Sequence, residues 1–431
     1  MATILAAAAA AVASVINGGT PDASLQALAS HVRAGAMDLS YTTLRDFGRG
    51  DLLLTNLMEK PLPDVLVHSL LLVALSRLER RPDEAHTIVN QATNAATSMG
   101  NGRYKGLVNG VLRSFLRRKD ELLKAADADG VARARHPAWW IARLRADYPS
   151  HWEEILVAGN THPPMCLRLN QLHATANWQE SLAEAGIETR QLNEEALLIS
   201  RPLPVERIPG FAAGFCSVQD FGAQAAAHLL DVTDGMKVLD ACAAPGGKSA
   251  HLLELAKIDL LALDHDAHRL NRIESNLARL GLQAKVSLGD AARPERWWDG
   301  RSFDRILADV PCTASGVVRR HPDAKWLRRD ADVAKFAGQQ AKIIDALWQT
   351  LVRGGKMLYA TCSVFGQENE MQVRSFVARH ADALRLPTRM PIRLADDAET
   401  TNDPTTTSDL ELKLLPTAEH DGFYYALLQK R

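Results

Sequence analysis

Two cysteines stand close behind apolar runs that end in turns: Cys312 in "DVPCTASG" and, fifty residues on, Cys362 in "YATCSVFG". A thiolate is both a good nucleophile and a good leaving group, so two of them at neighbouring strand ends suggest covalent catalysis. A carboxyl lies close in sequence: Asp309 precedes Cys312 by three residues, placed to steady charge that develops on a bound ring.

Upstream, "ACAAPGGKS" follows a strand-like "MKVLDA". Its glycines let a ligand approach the backbone, and the helix that follows aims amides at it. A triphosphate loop would need glycine where Cys242 stands, which argues against a nucleotide triphosphatase. Three acids end three consecutive predicted strands: Asp240, Asp264 and Asp290. Asp264 is placed for ribose hydroxyls and Asp290 for an adenine amino group, although either could instead cap a helix. This set suits S-adenosylmethionine better than a pyrophosphate. Beside a methyl donor, the cysteines acquire a definite chemistry. Carbon 5 of cytosine is a poor nucleophile until a thiolate adds at carbon 6; carbon 5 can then attack the sulfonium methyl, and elimination of the thiolate with loss of the carbon-5 proton completes a methylation.

The elements that must position these residues are legible in the periodicity. From about residue 216, strand, turn and amphipathic helix repeat through "DLLALDHD", "AKVSLGDA", "FDRILADVPC" and "GKMLYATCS", which predicts a parallel sheet covered on both faces. Two closing strands, "ELKLLPT" and "DGFYYALLQKR", have no helix between them, so one should run antiparallel. An acidic, Thr-rich loop near 396–411 precedes them. Residues 146–215, broken by prolines, read as a small α+β connector, with "MCLRLN" and "EALLIS" as strands around the helix "WQESLAEAGI". Residues 1–145 read as all helix, "DVLVHSLLLVALSRLERRP" and "GRYKGLVNGVLRSFLRRKDELLKAA" carrying the clearest rhythm.

Two basic stretches complete the pattern. Residues 101–145 hold eleven Lys/Arg against four Asp/Glu, either a solvated helix face or a surface for RNA phosphates, with Arg113, Arg117 and Arg118 as candidate contacts. "VVRRHPDAKWLRR" puts Arg319, Arg320, Lys325 and Arg328 just after Cys312, again a charged surface loop or a phosphate path. With a net charge of −1, any nucleic-acid affinity has to be local. Five cysteines without a C-x-x-C pair argue against a disulfide framework or a zinc site, so no metal is expected and a reducing, cytoplasmic setting is. The apolar start is preceded by no Lys or Arg and reads as a packed helix, and no membrane span is expected. Nothing speaks for an oligomer, and a monomer is the default.

"DACAAPGGKSAHLLEL", "DVPCTASGVVRRHPDAKWLRR" and "YATCSVFGQENE" resemble the Fmu/Sun family of RNA cytosine-5 methyltransferases, and the likeness runs over nearly the whole chain. It implies a Rossmann-like methyltransferase domain over 216–431, the connector at 146–215, and a NusB-like RNA-binding domain over 1–145, to which "KGLVNGVLRSFLRR" is similar. It implies Cys362 as nucleophile and Cys312 as the residue that helps release product, with Asp309 beside them. Cys242, Ala243, Ala244, Pro245, Gly246, Gly247, Lys248, Asp264, Asp290 and Asp309 fall on the family's S-adenosylmethionine positions. The implied substrate is 16S rRNA, at cytosine 967; the alternatives are the same chemistry on another RNA such as tRNA, or a non-catalytic RNA-binding assembly factor that keeps the fold. Val310 departs from the family's usual alanine, a steric change only.

Overall fold

A computed structural model describes residues 1–60, 62, 64–173, 178–389 and 409–431. It divides into two compact units: Met1–Thr161 with Val318–Asp330, and His162–Val317 with Ala331–Arg431.

The first unit is helical. Asp64 caps the helix Val65–Arg80 by accepting from the amides of Leu66 and Val67, and the unbroken apolar run from Leu70 to Leu75 is wholly buried. The alanine-rich start is the helix Ala2–Ile16, which buries Leu5, Ala8, Ala9, Val12 and Val15 in the same core. The helix Lys105–Arg117 turns Val108, Val111, Leu112 and Phe115 inward and leaves Arg113 and Arg117 exposed. Arg118, just past its end, is exposed and paired with Glu121. Helical structure continues past the expected boundary at 145, through Ala138–Asp147 and Trp152–Gly159.

Residues 318–330 fold with this unit, which corrects part of the phosphate-path expectation. Lys325 is fully buried; its ammonium donates to the carbonyls of Arg45 and Arg135 and to Oδ1 of Asn160, at 3.0, 3.0 and 2.8 Å. Trp326 Nε1 donates to the Leu44 carbonyl, and its ring packs 5.0 Å from that of Phe47. Arg319 is also buried, its carbonyl accepting from Arg45. A cation that satisfies backbone oxygens inside the protein is not available to a phosphate. Arg320 and Arg328 are half-buried.

Among its described residues the second unit holds twelve strands, β1 (Met165–Leu169), β2 (Thr189–Gln191), β3 (Ala196–Ile199), β4 (Cys216–Val218), β5 (Lys237–Ala241), β6 (Asp259–Asp264), β7 (Lys285–Leu288), β8 (Phe303–Asp309), β9 (Leu351–Thr361), β10 (Ala383–Leu386), β11 (Leu412–Leu414) and β12 (Phe423–Lys430). The first four form a small antiparallel sheet in the order β2-β3-β1-β4, with the helix Trp178–Glu184 between β1 and β2 as expected. The rest form one sheet, ordered β10-β12-β9-β8-β5-β6-β7, in which β11 also pairs with β12. Strands β5 to β9 pair in parallel, and β12 runs antiparallel to β9. The consecutive buried residues of β5, β6 and β8 are those of strands covered on both faces. Of the acidic loop, residues 396–408 lie outside the described residues; Glu411 is buried and accepts from the Tyr424 hydroxyl at 2.7 Å.

Lys325→Met should lower the stability of the first unit by about 1–3 kcal/mol, because three buried acceptors lose their donor. Urea unfolding measures this. Unchanged stability with weakened RNA binding would return Lys325 to a phosphate-contacting role.

Candidate active site

Pairing of β8 with β9 in register sets Asp309 opposite Ala360, so both strands end together and their cysteines meet. The sulfurs of Cys312 and Cys362 lie 3.3 Å apart. Cys312 is buried and receives the Ala314 amide at 3.4 Å; Cys362 is half-buried. The bond to Cys362, then burial, push the Cys312 thiol well above its ordinary pKa. Cys312 is thus held protonated.

The turn after β5 is built for close approach. Cys242 and Ala243 both donate to the Leu263 carbonyl, at 2.9 and 2.8 Å, and Cys242 takes a left-handed φ of 72°. Gly246 takes φ 95°, and a Cβ there would stand 3.1 Å from Cα of Ile273, so side chains are excluded twice over. Over Gly247 nothing lies within 4 Å of an added Cβ, leaving open space at the start of the helix Gly247–Leu255. Burial raises the Cys242 thiol pKa strongly, which keeps it out of the chemistry.

Lys248 crosses from that helix to Asp309, Nζ to Oδ2 at 2.6 Å. Burial works against the ammonium, yet Asp309 wins and the lysine pKa is raised. The site therefore has a fixed ion pair beside its two thiols. Asp264 departs from expectation. Its carboxylate is 1% exposed and accepts from the amides of Ala244 and Asp266, each at 3.1 Å, so it braces the turn from behind. Asp290 is exposed, one oxygen accepting from the Ala292 amide.

Sequence reasoning missed several residues around this centre. Glu368 lies buried beneath the cysteine loops, bonded to Thr313, Ser363 and Gln340; its only signal was its place in the quoted "QENE" run. Gly316 donates to the Cys362 carbonyl at 2.8 Å and accepts from Gly422 at 2.9 Å; a Cβ on Gly316 would meet the Gly422 oxygen at 2.3 Å. Among the described residues, Glu195, His228 and His251 bring possible metal ligands within 4.8 Å of one another. Glu195 already accepts from His228 at 3.0 Å, and burial, then the charge of Arg168, push the His251 pKa down to about 3. Arg168 likewise opposes a further cation there.

A doubly covered parallel sheet with a glycine turn after its first strand, an ion pair and two apposed thiols defines a Rossmann-like methyltransferase. Family models agree by segment: "16S rRNA methyltransferase RsmB/F" matches residues 227–429, its "ferredoxin-like domain" 136–206, and "NusB family" 7–117. Ribosomal RNA small subunit methyltransferase B of Yersinia enterocolitica is 42% identical over 406 residues, covering 93% of this chain and 91% of its own. The protein of that name from Serratia proteamaculans is 44% identical over 357 residues, 81% of this chain and 83% of its own. The chain belongs to the RsmB/F family of 16S rRNA methyltransferases. Among solved structures, PH0851 matches in fold with a TM-score of 0.82 at 22% identity, over 100% of this chain and 99% of that one. NSun6 from Pyrococcus horikoshii, solved with SFG, matches with a TM-score of 0.58 at 19% identity, over 68% and 98%.

Asp240, at the end of β5, gives the site a pH signature. It is buried, accepts from Ser249 Oγ at 2.5 Å, and has its pKa raised to about 7 by burial. An acid raised above its unfolded value binds more protons when folded, so stability should fall as pH rises from about 4 through 7. The slope is at most about 1.4 kcal/mol per pH unit. Asp240→Asn, which keeps the shape, should flatten that part of the profile in thermal melts from pH 5 to 8. An identical slope in the variant would mean that Asp240 ionises freely.

Proposed function

We propose that the protein methylates carbon 5 of a cytosine in 16S rRNA, at position 967, using S-adenosylmethionine and a transient cysteine–cytosine bond. The observation that carries this reading is the 3.3 Å pairing of a buried thiol with a half-buried one beside a lysine–carboxylate pair. Family membership supports the rRNA substrate.

The residues fit the cofactor. One oxygen of buried Asp240 has no hydrogen-bond partner, the space over Gly247 is open, and the first turn of the Gly247–Leu255 helix offers amides. Cys242 to Lys248 would hold it, with Asp264 acting through the turn it braces and exposed Asp290 open to the base. When bound, S-adenosylmethionine supplies an electrophilic methyl group.

On the protein side, the Cys362 thiolate adds to carbon 6 of the cytosine, and carbon 5 gains the ring's electron density. Asp309, held by Lys248, faces the ring as charge shifts through it. Once carbon 5 is substituted, its proton passes to water, the C–H electron pair restores the ring double bond, and the carbon–sulfur pair returns to Cys362. Cys312, kept as a thiol against Cys362, lies where the departing sulfur must be steadied. The base has to be unstacked, since the sulfur attacks from its face. The exposed Arg113, Arg117 and Arg118 of the first unit, together with Arg320 and Arg328, serve as phosphate contacts in this reading.

Two variants separate the cysteines. Cys362→Ala should give neither methylation nor an RNA adduct. Cys312→Ala should accumulate an adduct that survives denaturing electrophoresis and shifts on nuclease treatment. Bisulfite sequencing of 16S rRNA incubated with wild-type enzyme reads the position. An adduct from Cys362→Ala alone would reverse the roles, and methylation intact in both would end the covalent reading.

Charge reversal at Arg113 and Arg117 should weaken RNA binding and lower the salt slope by roughly two contacts' worth, with cofactor binding unchanged. Equal affinity and slope, measured by titration at several salt concentrations, would make that face merely solvated.

A further inference from the structure

The "QENE" run beyond Cys362 takes no part in the chemistry above, yet its first glutamate is wholly buried between the two cysteine loops. Glu368 Oε1 accepts from the Thr313 amide at 2.9 Å and from Gln340 Nε2 at 3.2 Å. Its Oε2 accepts from the hydroxyls of Thr313 and Ser363, at 2.5 and 2.6 Å. Four donors fill the four lone-pair directions of one carboxylate. Thr313 directly follows Cys312, and Ser363 directly follows Cys362. A single side chain thus grips the residue after each cysteine.

The grip is itself held in place. The Glu368 carbonyl accepts from the Tyr359 hydroxyl on β9 at 2.6 Å. Gln340 reaches from the helix Asp330–Gln349 to both Glu368 and the Pro311 carbonyl, one residue before Cys312. Asn369 accepts from Thr361 and donates to the Ser363 carbonyl, so it flanks Cys362 on both sides. Burial raises the Glu368 pKa while the hydroxyl and amide donors restrain the rise, consistent with a carboxylate retained for its bonds. Packing alone would not call for a fully bonded acid here, since an apolar side chain of that size costs less to bury.

We propose that Glu368 is a positioning residue: by tying Thr313 and Ser363 to one carboxylate it fixes the separation of the two sulfurs. The inference rests on the two-cysteine reading above for its functional consequence, but not for its geometry. Glu368 touches neither sulfur and acts only through the residues beside them.

The test measures thiol proximity separately from methylation. Diamide takes two hydrogens from a pair of close thiols, reducing its azo bond and joining the sulfurs. The rate of Cys312–Cys362 bridging, mapped by peptide mass spectrometry, therefore reports their approach. In Glu368→Gln, one oxygen becomes a donor that faces hydroxyl and amide hydrogens, and bridging should slow by about tenfold or more. The kcat should fall by a similar factor, while the KM for RNA and the affinity for S-adenosylmethionine hold. Ser363→Ala cuts the tie to one loop and should show the same pattern at smaller size; it decides the question if Glu368→Gln does not fold. Bridging at the wild-type rate in a folded variant overturns the proposal. Slower bridging with unchanged kcat supports the clamp and sinks the two-cysteine mechanism instead.

Discussion

The site depends on the register of two parallel strands. With Asp309 opposite Ala360, β8 and β9 release the chain at the same level, and their ladder continues one bond further as Val310 donates to the Ala360 carbonyl. A slip of one residue would turn every side chain of a strand to the opposite face and separate the sulfurs. Register this important is locked beyond the strands. Gly316 joins the Cys362 carbonyl to the backbone of Gly422, at a spacing that no Cβ tolerates. The last turn before β12 is therefore part of what aligns the cysteines, although it lies over a hundred residues from Cys312.

Around that alignment the ionisable groups are treated in two ways. Lys248 keeps its charge because Asp309, 2.6 Å away, outweighs the burial that works against it. Asp240 accepts from a serine hydroxyl and from no cation among the described residues, and burial raises its pKa to about 7. The contrast has a chemical use. The ion pair puts a fixed field next to the thiols, while Asp240, its pKa raised by burial, makes no hydrogen bond to Lys248.

How much of this could be read from sequence follows from the range of the interactions involved. The strands, the glycine turn and the order of the acids are periodic or local, and Cys312, Cys362, Asp309 and Lys248 all stand where that reading put them. Asp264 was found at its strand end, but the direction of its carboxylate depends on the Ala244 amide twenty residues away. Lys325 and Arg319 failed for a related reason. A basic run looks alike whether its charges face water or backbone carbonyls, and only the fold around Arg45, Arg135 and Asn160 makes the distinction. Glu368 was legible as a letter in a motif but not as a clamp, because its partners come from three separate elements.

The different roles proposed for the two cysteines rest on the same short distance. Two thiolates 3.3 Å apart would repel by about 5 kcal/mol at an effective dielectric of ~20, so the pair sheds one proton far more readily than two. The remaining proton belongs on the sulfur for which ionisation costs more. That is Cys312, which is buried, bonded to its neighbour, and close to the charge of Glu368. Cys362, being half-buried, is the sulfur that a base can reach. In the proposed reaction, a bond from the Cys362 sulfur to carbon removes the repulsion, and the Cys312 proton becomes easier to move. On that proposal the second thiol is held in reserve during attack and released for use only when an adduct has to be undone.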